Sequence, residues 1–162
     1  MTEPGASKSV EFKPLKDLGS LPLNATSELK FYVDEYKGFK YGSIRTFVTG
    51  EGYTGPTKSG VTLNPAILAG VIEALETLPK TGASFKEEKE LGRFPKKIGV
   101  ALVLRITLFK DAPGLDLREW VEEEGYTGWS KKGVRVPYEE LASTIQRLKQ
   151  MQEIVGLPKA KP

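Results

Sequence analysis

The sequence predicts an α+β fold built from two copies of one unit, a small β-sheet followed by a helix. The segment EGYTG occurs twice, beginning at Glu51 and at Glu124, and further matches continue at the same spacing of 73 residues without a gap. Each copy starts with alternating apolar residues, which is typical of a half-buried strand, and ends with apolar residues at helical spacing. Duplication of one supersecondary unit explains both observations. The matched positions include Arg45 with Arg118, Phe47 with Trp120, Lys58 with Lys131, Gly60 with Gly133, Leu68 with Leu141 and Leu75 with Leu148.

Three strands are predicted in each copy from alternation and turn signals. The first strand is carried by alternate apolar residues, and the second by residues 43–49 and 115–121. A glycine-rich turn with Tyr53 or Tyr126 follows, and then a short third strand at 59–63 and 132–136. The apolar residues of the first strand are Leu29, Phe31 and Val33 in one copy and Leu102, Leu104, Ile106 and Leu108 in the other.

A helix is predicted at the end of each copy, where the apolar period changes to that of a helix. In the first copy Asn64 precedes Pro65, which combines an N-cap side chain with a residue that has no N–H to leave unpaired. In the second copy Pro137 is followed by acidic residues, which suit a helix N-terminus. The helical apolar positions are Ile67, Leu68, Val71, Ile72, Leu75 and Leu78, and Leu141, Ile145, Leu148 and Met151.

The rest of the chain is expected to connect or flank the two repeats. We place the repeats at residues 27–79 and 98–155. Residues 80–97 are charged and contain glycine and proline, which favours a surface linker. Residues 1–26 and the tail 156–162 lack periodicity, so we expect them to be loosely held.

Composition excludes several functional classes. The chain has neither cysteine nor histidine, so disulfides, thiol nucleophiles, the usual zinc sites and His-based catalysis are not expected. We therefore expect no enzymatic activity, no cofactor and no bound metal. No apolar run approaches the roughly 18 residues of a membrane span, and the N-terminus lacks the apolar region of a secretory signal. A cytoplasmic location, or the nucleoid in a prokaryote, is the expectation.

Strand alternation predicts that aromatic and basic side chains share the sheet face opposite the helix. If the apolar residues of each strand face the helix, then Arg45 with Phe47, and Arg118 with Trp120, face away from it. Single-stranded nucleic acid requires this combination, because unpaired bases stack on aromatic rings while Lys and Arg neutralise phosphates. The other readings are that these rings pack under a second layer, such as the N-terminal segment or the linker, or that they only satisfy the preference of strands for aromatic residues. The net charge of +3 is too small to decide between them.

Residues 115–148, LDLREWVEEEGYTGWSKKGVRVPYEELASTIQRL, resemble the core of the positive cofactor four family of transcriptional coactivators. The matching features are an arginine-glutamate-aromatic strand, an acidic turn with glycine, a lysine-lysine-glycine strand and an amphipathic helix. The first copy resembles the family through EYKGFKYGSIRTF (35–47) and KSGVTLNP (58–65). It departs from the pattern at Ser59, where the second copy has Lys132. Both copies have valine, Val48 and Val121, where the family has tryptophan.

The resemblance implies a curved four-stranded antiparallel sheet plus a C-terminal helix in each repeat. It also implies that the two repeats pair through their helices as an intramolecular pseudo-dimer, with a homodimer through the helices as the alternative. Its binding positions carry over to Tyr36, Lys37, Arg45 and Lys58 in the first copy, and to Phe109, Lys110, Arg118, Lys131 and Lys132 in the second. The departures imply that the first copy binds more weakly.

The sequence thus predicts a protein that binds single-stranded DNA with little sequence preference, in transcription, replication or repair. RNA binding is one alternative, since rings and cations do not by themselves sense a 2′-hydroxyl. A protein-interaction scaffold that has lost nucleic-acid binding is the other. The complete predicted binding set is Tyr36, Lys37, Arg45, Phe47, Lys58, Arg105, Phe109, Lys110, Arg118, Trp120, Trp129, Lys131, Lys132 and Arg135.

Overall fold

A computed structural model describes Lys8, Ser9 and residues 11–158 of the chain, which form two open sheets, each followed by a helix. The first unit contains β1 (Lys8–Ser9), β2 (Lys16–Asn24), β3 (Ser27–Tyr36), β4 (Phe39–Thr49), β5 (Tyr53–Leu63) and α1 (Pro65–Glu76). The second contains β6 (Lys89–Lys97), β7 (Val100–Phe109), β8 (Ala112–Glu123), β9 (Tyr126–Pro137), a 3-10 turn (Tyr138–Glu140) and α2 (Leu141–Val155).

Four antiparallel strands form each sheet, in the orders β5-β4-β3-β2 and β6-β7-β8-β9. In the first sheet the two-residue strand β1 adds to β5 in parallel. The central strands have the apolar alternation that the sequence shows, and Leu29, Phe31, Val33 and their counterparts in β7 are fully buried. The predicted fold class, a repeated unit of four antiparallel strands and a helix, is therefore confirmed.

The first helix begins where the sequence indicated. The Asn64 side chain accepts a hydrogen bond from the backbone N–H of Ile67 at 2.8 Å, and Pro65 is the first helical residue. In the second repeat the helix does not start at Pro137. A 3-10 turn comes first, in which Tyr138 is buried and donates a hydrogen bond from its hydroxyl to the backbone oxygen of Pro79 at 2.6 Å. This contact links the end of the first unit to the start of α2.

Two segments that we expected to lie outside the repeats each form the outer strand of a sheet. Residues 16–24 of the predicted loose segment are β2, and residues 89–97 of the predicted linker are β6. Both strands contain irregularities in register, which break the alternation that would otherwise mark a strand. The predicted turn around Tyr53 also differs, because this tyrosine already begins β5. Residues 1–7, 10 and 159–162 of the predicted flanking segments lie outside the described residues.

The helices pack across the boundary between the repeats. The second helix, α2, packs on β2, β3 and β4 of the first sheet, and α1 packs on α2 and on β6 of the second sheet. The guanidinium of Arg147 lies 5.1 Å from the ring centre of Phe31 and donates to the backbone oxygen of Ser20 at 3.3 Å. Side chains of both repeats belong to one continuous apolar core. The outer faces of both sheets are left on the side away from the helices.

Candidate nucleic-acid interface

The outer face of the second sheet carries a group of aromatic and arginine side chains, as strand alternation predicted. Trp120 on β8 lies directly opposite Trp129 on β9, and their ring centres are 4.9 Å apart at an interplanar angle of 81°. The Arg105 guanidinium carbon lies 4.2 Å from the centre of the Trp129 ring, and that of Arg93 lies 5.6 Å from the Trp120 ring. Both tryptophans are partly exposed. We name these four side chains the tryptophan-arginine cluster.

Aromatic and guanidinium planes of this kind give unpaired bases several surfaces on which to stack. The indole N–H of Trp120 donates to the carboxylate of Glu122 at 3.2 Å, which fixes the orientation of that ring. The Arg93 guanidinium donates a 2.8 Å hydrogen bond to the Glu90 carboxylate, which lowers the pKa of the Glu90 carboxyl. Arg93 was absent from the predicted set because it lies in the segment that we took for a linker.

A buried carboxylate holds two of the arginines on this face. Asp116 is 4% exposed, and its two carboxylate oxygens each lie 3.5 Å from a guanidinium nitrogen, one of Arg105 and one of Arg118. The first sheet has Ser43 at the equivalent place. The carboxylate therefore orients two arginines of the second sheet from a position at which the first sheet has a serine.

Arg118 and Arg45 lie flat across a glycine of the neighbouring strand. A Cβ atom added to Gly133 would stand 2.6 Å from the guanidinium carbon of Arg118, and one added to Gly60 would stand 2.7 Å from that of Arg45. Each guanidinium also donates to a backbone oxygen, that of Thr57 at 2.8 Å for Arg45 and that of Ser130 at 3.5 Å for Arg118. The repeated glycines keep these two arginines against the sheet.

Replacing Gly133 with alanine is expected to displace the Arg118 guanidinium and weaken single-strand binding about 3- to 10-fold, in the range of one perturbed charge contact. Stability should change by less than about 1 kcal/mol, because the obstacle is the end of a flexible side chain. Fluorescence anisotropy and thermal melting measure the two effects. Gly52→Ala is the matched control, since nothing lies within 4 Å of the added Cβ there. Equal affinities for both variants would contradict the role of Gly133.

On the first sheet, Phe47 faces outward as predicted, but it is not accessible. Phe47 and Tyr32 are each only 7% exposed, because the ring of Phe12 packs edge-on against both, with centre-to-centre distances of 5.2 and 5.0 Å. The alternative in which an N-terminal segment covers these rings therefore describes the first sheet. Nearby on the same face, burial raises the pKa of Asp34 despite the positive charge of Arg45.

The β3–β4 hairpin and the β7–β8 hairpin each present an exposed ring beside a lysine. Tyr36 is 64% exposed and Phe109 is 63% exposed. The amino groups of Lys37 and Lys110 lie 5.3 and 5.5 Å from the respective ring centres. Both lysines have positive φ, 51° and 50°, in two-residue turns of the type that joins tight hairpins. These four predicted positions thus occupy equivalent, solvent-facing sites.

A basic cleft lies where β5 of the first sheet meets β9 of the second. Lys96 is its central side chain, donating hydrogen bonds to the Thr62 hydroxyl at 2.7 Å and to the buried Glu119 carboxylate at 2.9 Å. Sequence reasoning missed Lys96, again because β6 was taken for a linker. The other cations of the cleft are Arg45, Lys58, Lys131 and Lys132, all of which were predicted.

The last predicted residue, Arg135, is bound to neighbouring backbone. Its guanidinium donates to the Thr107 hydroxyl and to the backbone oxygen of Ala112, both at 2.9 Å. These bonds join the two strands of the β7–β8 hairpin beside its turn, through the Nε and Nη2 atoms of Arg135.

Among residues 8–9 and 11–158, no three acidic side chains come together as a metal site would require. In the same part of the chain, no helix is long and apolar enough to cross a membrane.

Comparison with known protein families gives one match. Residues 23–74 match the family model described as Transcriptional Coactivator p15 (PC4), which spans the end of β2 to the last turn of α1. No curated protein matches the chain. The resemblance to the positive cofactor four family is thereby confirmed over the first repeat. The second repeat has the same strand order as the first and also ends in a helix.

Proposed function

We propose, from a first repeat that matches a DNA-binding coactivator family, that this chain binds single-stranded DNA with little sequence preference on the outer faces of its two sheets. The observation that carries the proposal is the tryptophan-arginine cluster, in which two indole rings and two guanidinium planes lie together on a solvent-facing sheet. Bases stack on such planes irrespective of sequence, because every base has a π-face.

The basic cleft supports the second half of the mechanism, which is neutralisation of phosphates. A strand that crosses from one sheet to the other passes the cations that surround Lys96. Lys58, Lys131 and Lys132 are exposed there, so contact with phosphate requires no rearrangement of the backbone. Release of counterions from the strand would make affinity fall with salt.

The proposed role is non-catalytic and lies in transcription, replication or repair, in the cytoplasm or the nucleoid. Within one chain, the packing of α1 on α2 supplies the pairing of repeats that a homodimer would otherwise provide. RNA remains the alternative ligand and a protein scaffold the alternative function. The cluster favours nucleic acid over the scaffold, because planar cations stacked on rings suit bases better than an apolar protein surface.

The experiment is a fluorescence-anisotropy titration of labelled oligo-dT, matched RNA and duplex DNA over a series of salt concentrations. Arg45→Ala/Arg118→Ala should weaken binding and lower the slope of log K against log salt by about 1.4, which corresponds to two lost phosphate contacts on a single strand. Lys80→Ala/Lys149→Ala is the control that removes the same charge outside the strands. Lys80 follows α1, and Lys149 lies on α2, where it pairs with Glu76.

Three outcomes separate the possibilities. Tightest binding to oligo-dT, with a lower slope in the arginine variant alone, supports the proposal. Tighter binding to RNA assigns the face to RNA instead. If no strand binds at low salt, the scaffold function replaces nucleic-acid binding.

A further inference from the structure

The ring of Phe12 occupies a site on the outer face of the first sheet that has the chemistry of a base-binding site. It packs edge-on against both Tyr32 and Phe47, whose own ring centres are 6.3 Å apart, so that the three rings form a triangle. The amino group of Lys30 lies 5.0 Å from the centre of the Phe12 ring and 5.2 Å from that of Phe47. Aromatic rings beside a cation are the surroundings that a stacked base finds in single-strand sites. We call Tyr32, Phe47 and Lys30 the first-repeat slot.

The two repeats differ in what they do with an equivalent phenylalanine. At the spacing of 73 residues, Phe12 corresponds to Phe85. Phe85 packs against the central core, with its ring centre 5.6 Å from that of Tyr138. The first repeat has Pro65 in place of Tyr138, so it offers Phe12 no ring on that side. Phe12 lies on the outer face instead.

The segment that carries Phe12 is a short connection between two strands. Residues 11–14 lie between β1 and β2 and belong to neither strand. The neighbouring Glu11 and Lys13 side chains are both 75% exposed and pair with each other at 3.4 Å. An exposed ion pair of this kind adds little stability. Both ends of the segment are held by strand pairing, β1 on β5 and β2 on β3. Between these two attachments, the Phe12 ring packs residues 11–14 onto the outer face.

We propose that the first-repeat slot is a second base-binding site and that Phe12 covers it until a strand long enough to reach both sheets displaces the ring. This inference rests on the proposed function and adds regulation to it. A short strand binds the tryptophan-arginine cluster without disturbing Phe12. A long strand must also open the slot. Its apparent affinity is therefore the intrinsic affinity multiplied by the fraction of molecules in which the slot is uncovered.

The test compares a long and a short oligo-dT, of about 20 and about 6 nucleotides, on the full chain and on Phe12→Ala. Both tryptophans of the chain lie on the second sheet, so their fluorescence reports binding there, while anisotropy reports total binding. Phe12→Ala should tighten the long strand about 3- to 10-fold and leave the short strand unchanged. Adding Phe47→Ala to this variant should remove the gain.

Leu15→Ala serves as the control, because it shortens an exposed side chain next to the same segment and should change neither affinity. The proposal is overturned if Phe12→Ala leaves the long-strand affinity unchanged or weakens it while tryptophan quenching persists. If neither strand binds or quenches tryptophan in the unmodified chain, the proposed function itself fails, and Phe12 is then only a packing residue.

Discussion

Replacing Trp120 and Trp129 together with alanine should weaken oligo-dT binding more than any other change on the sheet faces. Each base that stacks on an aromatic ring contributes about 1–3 kcal/mol, which is roughly 5- to 150-fold in Kd for each ring lost. The two ring centres are only 4.9 Å apart, so the losses of binding free energy from the two substitutions need not add. Arg105 and Arg93 would also lose the planes that position them. Anisotropy at constant salt gives the Kd of each variant.

Trp120→Phe/Trp129→Phe is the matched control, because it keeps two aromatic planes and removes only area and the indole N–H. We expect it to retain most of the affinity. A similar weakening in the alanine and phenylalanine pairs would show that the Trp120–Glu122 hydrogen bond or indole size matters more than stacking. Unchanged affinity in the alanine pair would remove the cluster from the binding site.

Leu148→Ala is expected to destabilise both repeats at once. Leu148 is fully buried on α2, which packs on the first sheet although it belongs to the second repeat. Removing a buried leucine side chain costs about 2–5 kcal/mol, including the cavity that it leaves. Because one core contains residues of both repeats, we expect a single unfolding transition that shifts as a whole.

The measurement is chemical denaturation followed by tryptophan fluorescence, which senses only the second sheet, and by far-ultraviolet circular dichroism, which senses the whole chain. The two signals should change together in the unmodified chain and in Leu148→Ala. Leu157→Ala is the control, since that side chain is 71% exposed and its loss should cost less than about 0.5 kcal/mol. Two separate transitions, with only one shifted, would contradict a shared core.

The central strands and the helices were predictable because local chemistry and tertiary packing agree there. The apolar residues of β3 and β7 alternate, and those of α1 follow the helical period, so each set points to one side of its element. Asn64 before Pro65 predicted the start of α1 because asparagine caps helices, and the Asn64 side chain does accept a hydrogen bond from the backbone N–H of Ile67. The second helix started later than predicted because Tyr138 turns into the core before the helix begins.

The outer strands were missed although the sequence held a signal for them. Phe12, Lys13, Lys16, Leu18 and Gly19 recur 73 residues later as Phe85, Lys86, Lys89, Leu91 and Gly92, so the repeat extends into both segments. Alternation alone could not show it, because bulges interrupt β2 and β6 and only one side of each strand contacts the core. Comparing the repeats at their common spacing would have found both strands.

The site was predictable in its faces but not in its contacts. Alternation predicts that Arg118 and Trp120 face away from the helices, and that Arg45 and Phe47 do the same on the first sheet. No local pattern indicates that Asp116 binds two arginines, that Lys96 reaches Thr62 and Glu119, or that Phe12 covers Phe47. Asp116 and Arg118 are two residues apart on one strand, but the other contacts join residues at least 11 positions apart, so they depend on how the strands, the repeats and the N-terminal segment pack.

The inequality of the two outer faces has a consequence for direction along a strand. Two identical faces related by a half-turn would look the same to a strand running 5′ to 3′ and to one running the opposite way. Here one face has Trp129, Asp116 and Arg135 where the other has Pro56, Ser43 and Thr62. A strand that crosses both faces therefore meets different surfaces first in the two orientations. Under the proposed function, joining the repeats in one chain would therefore give the protein a means to distinguish the two polarities of a single strand.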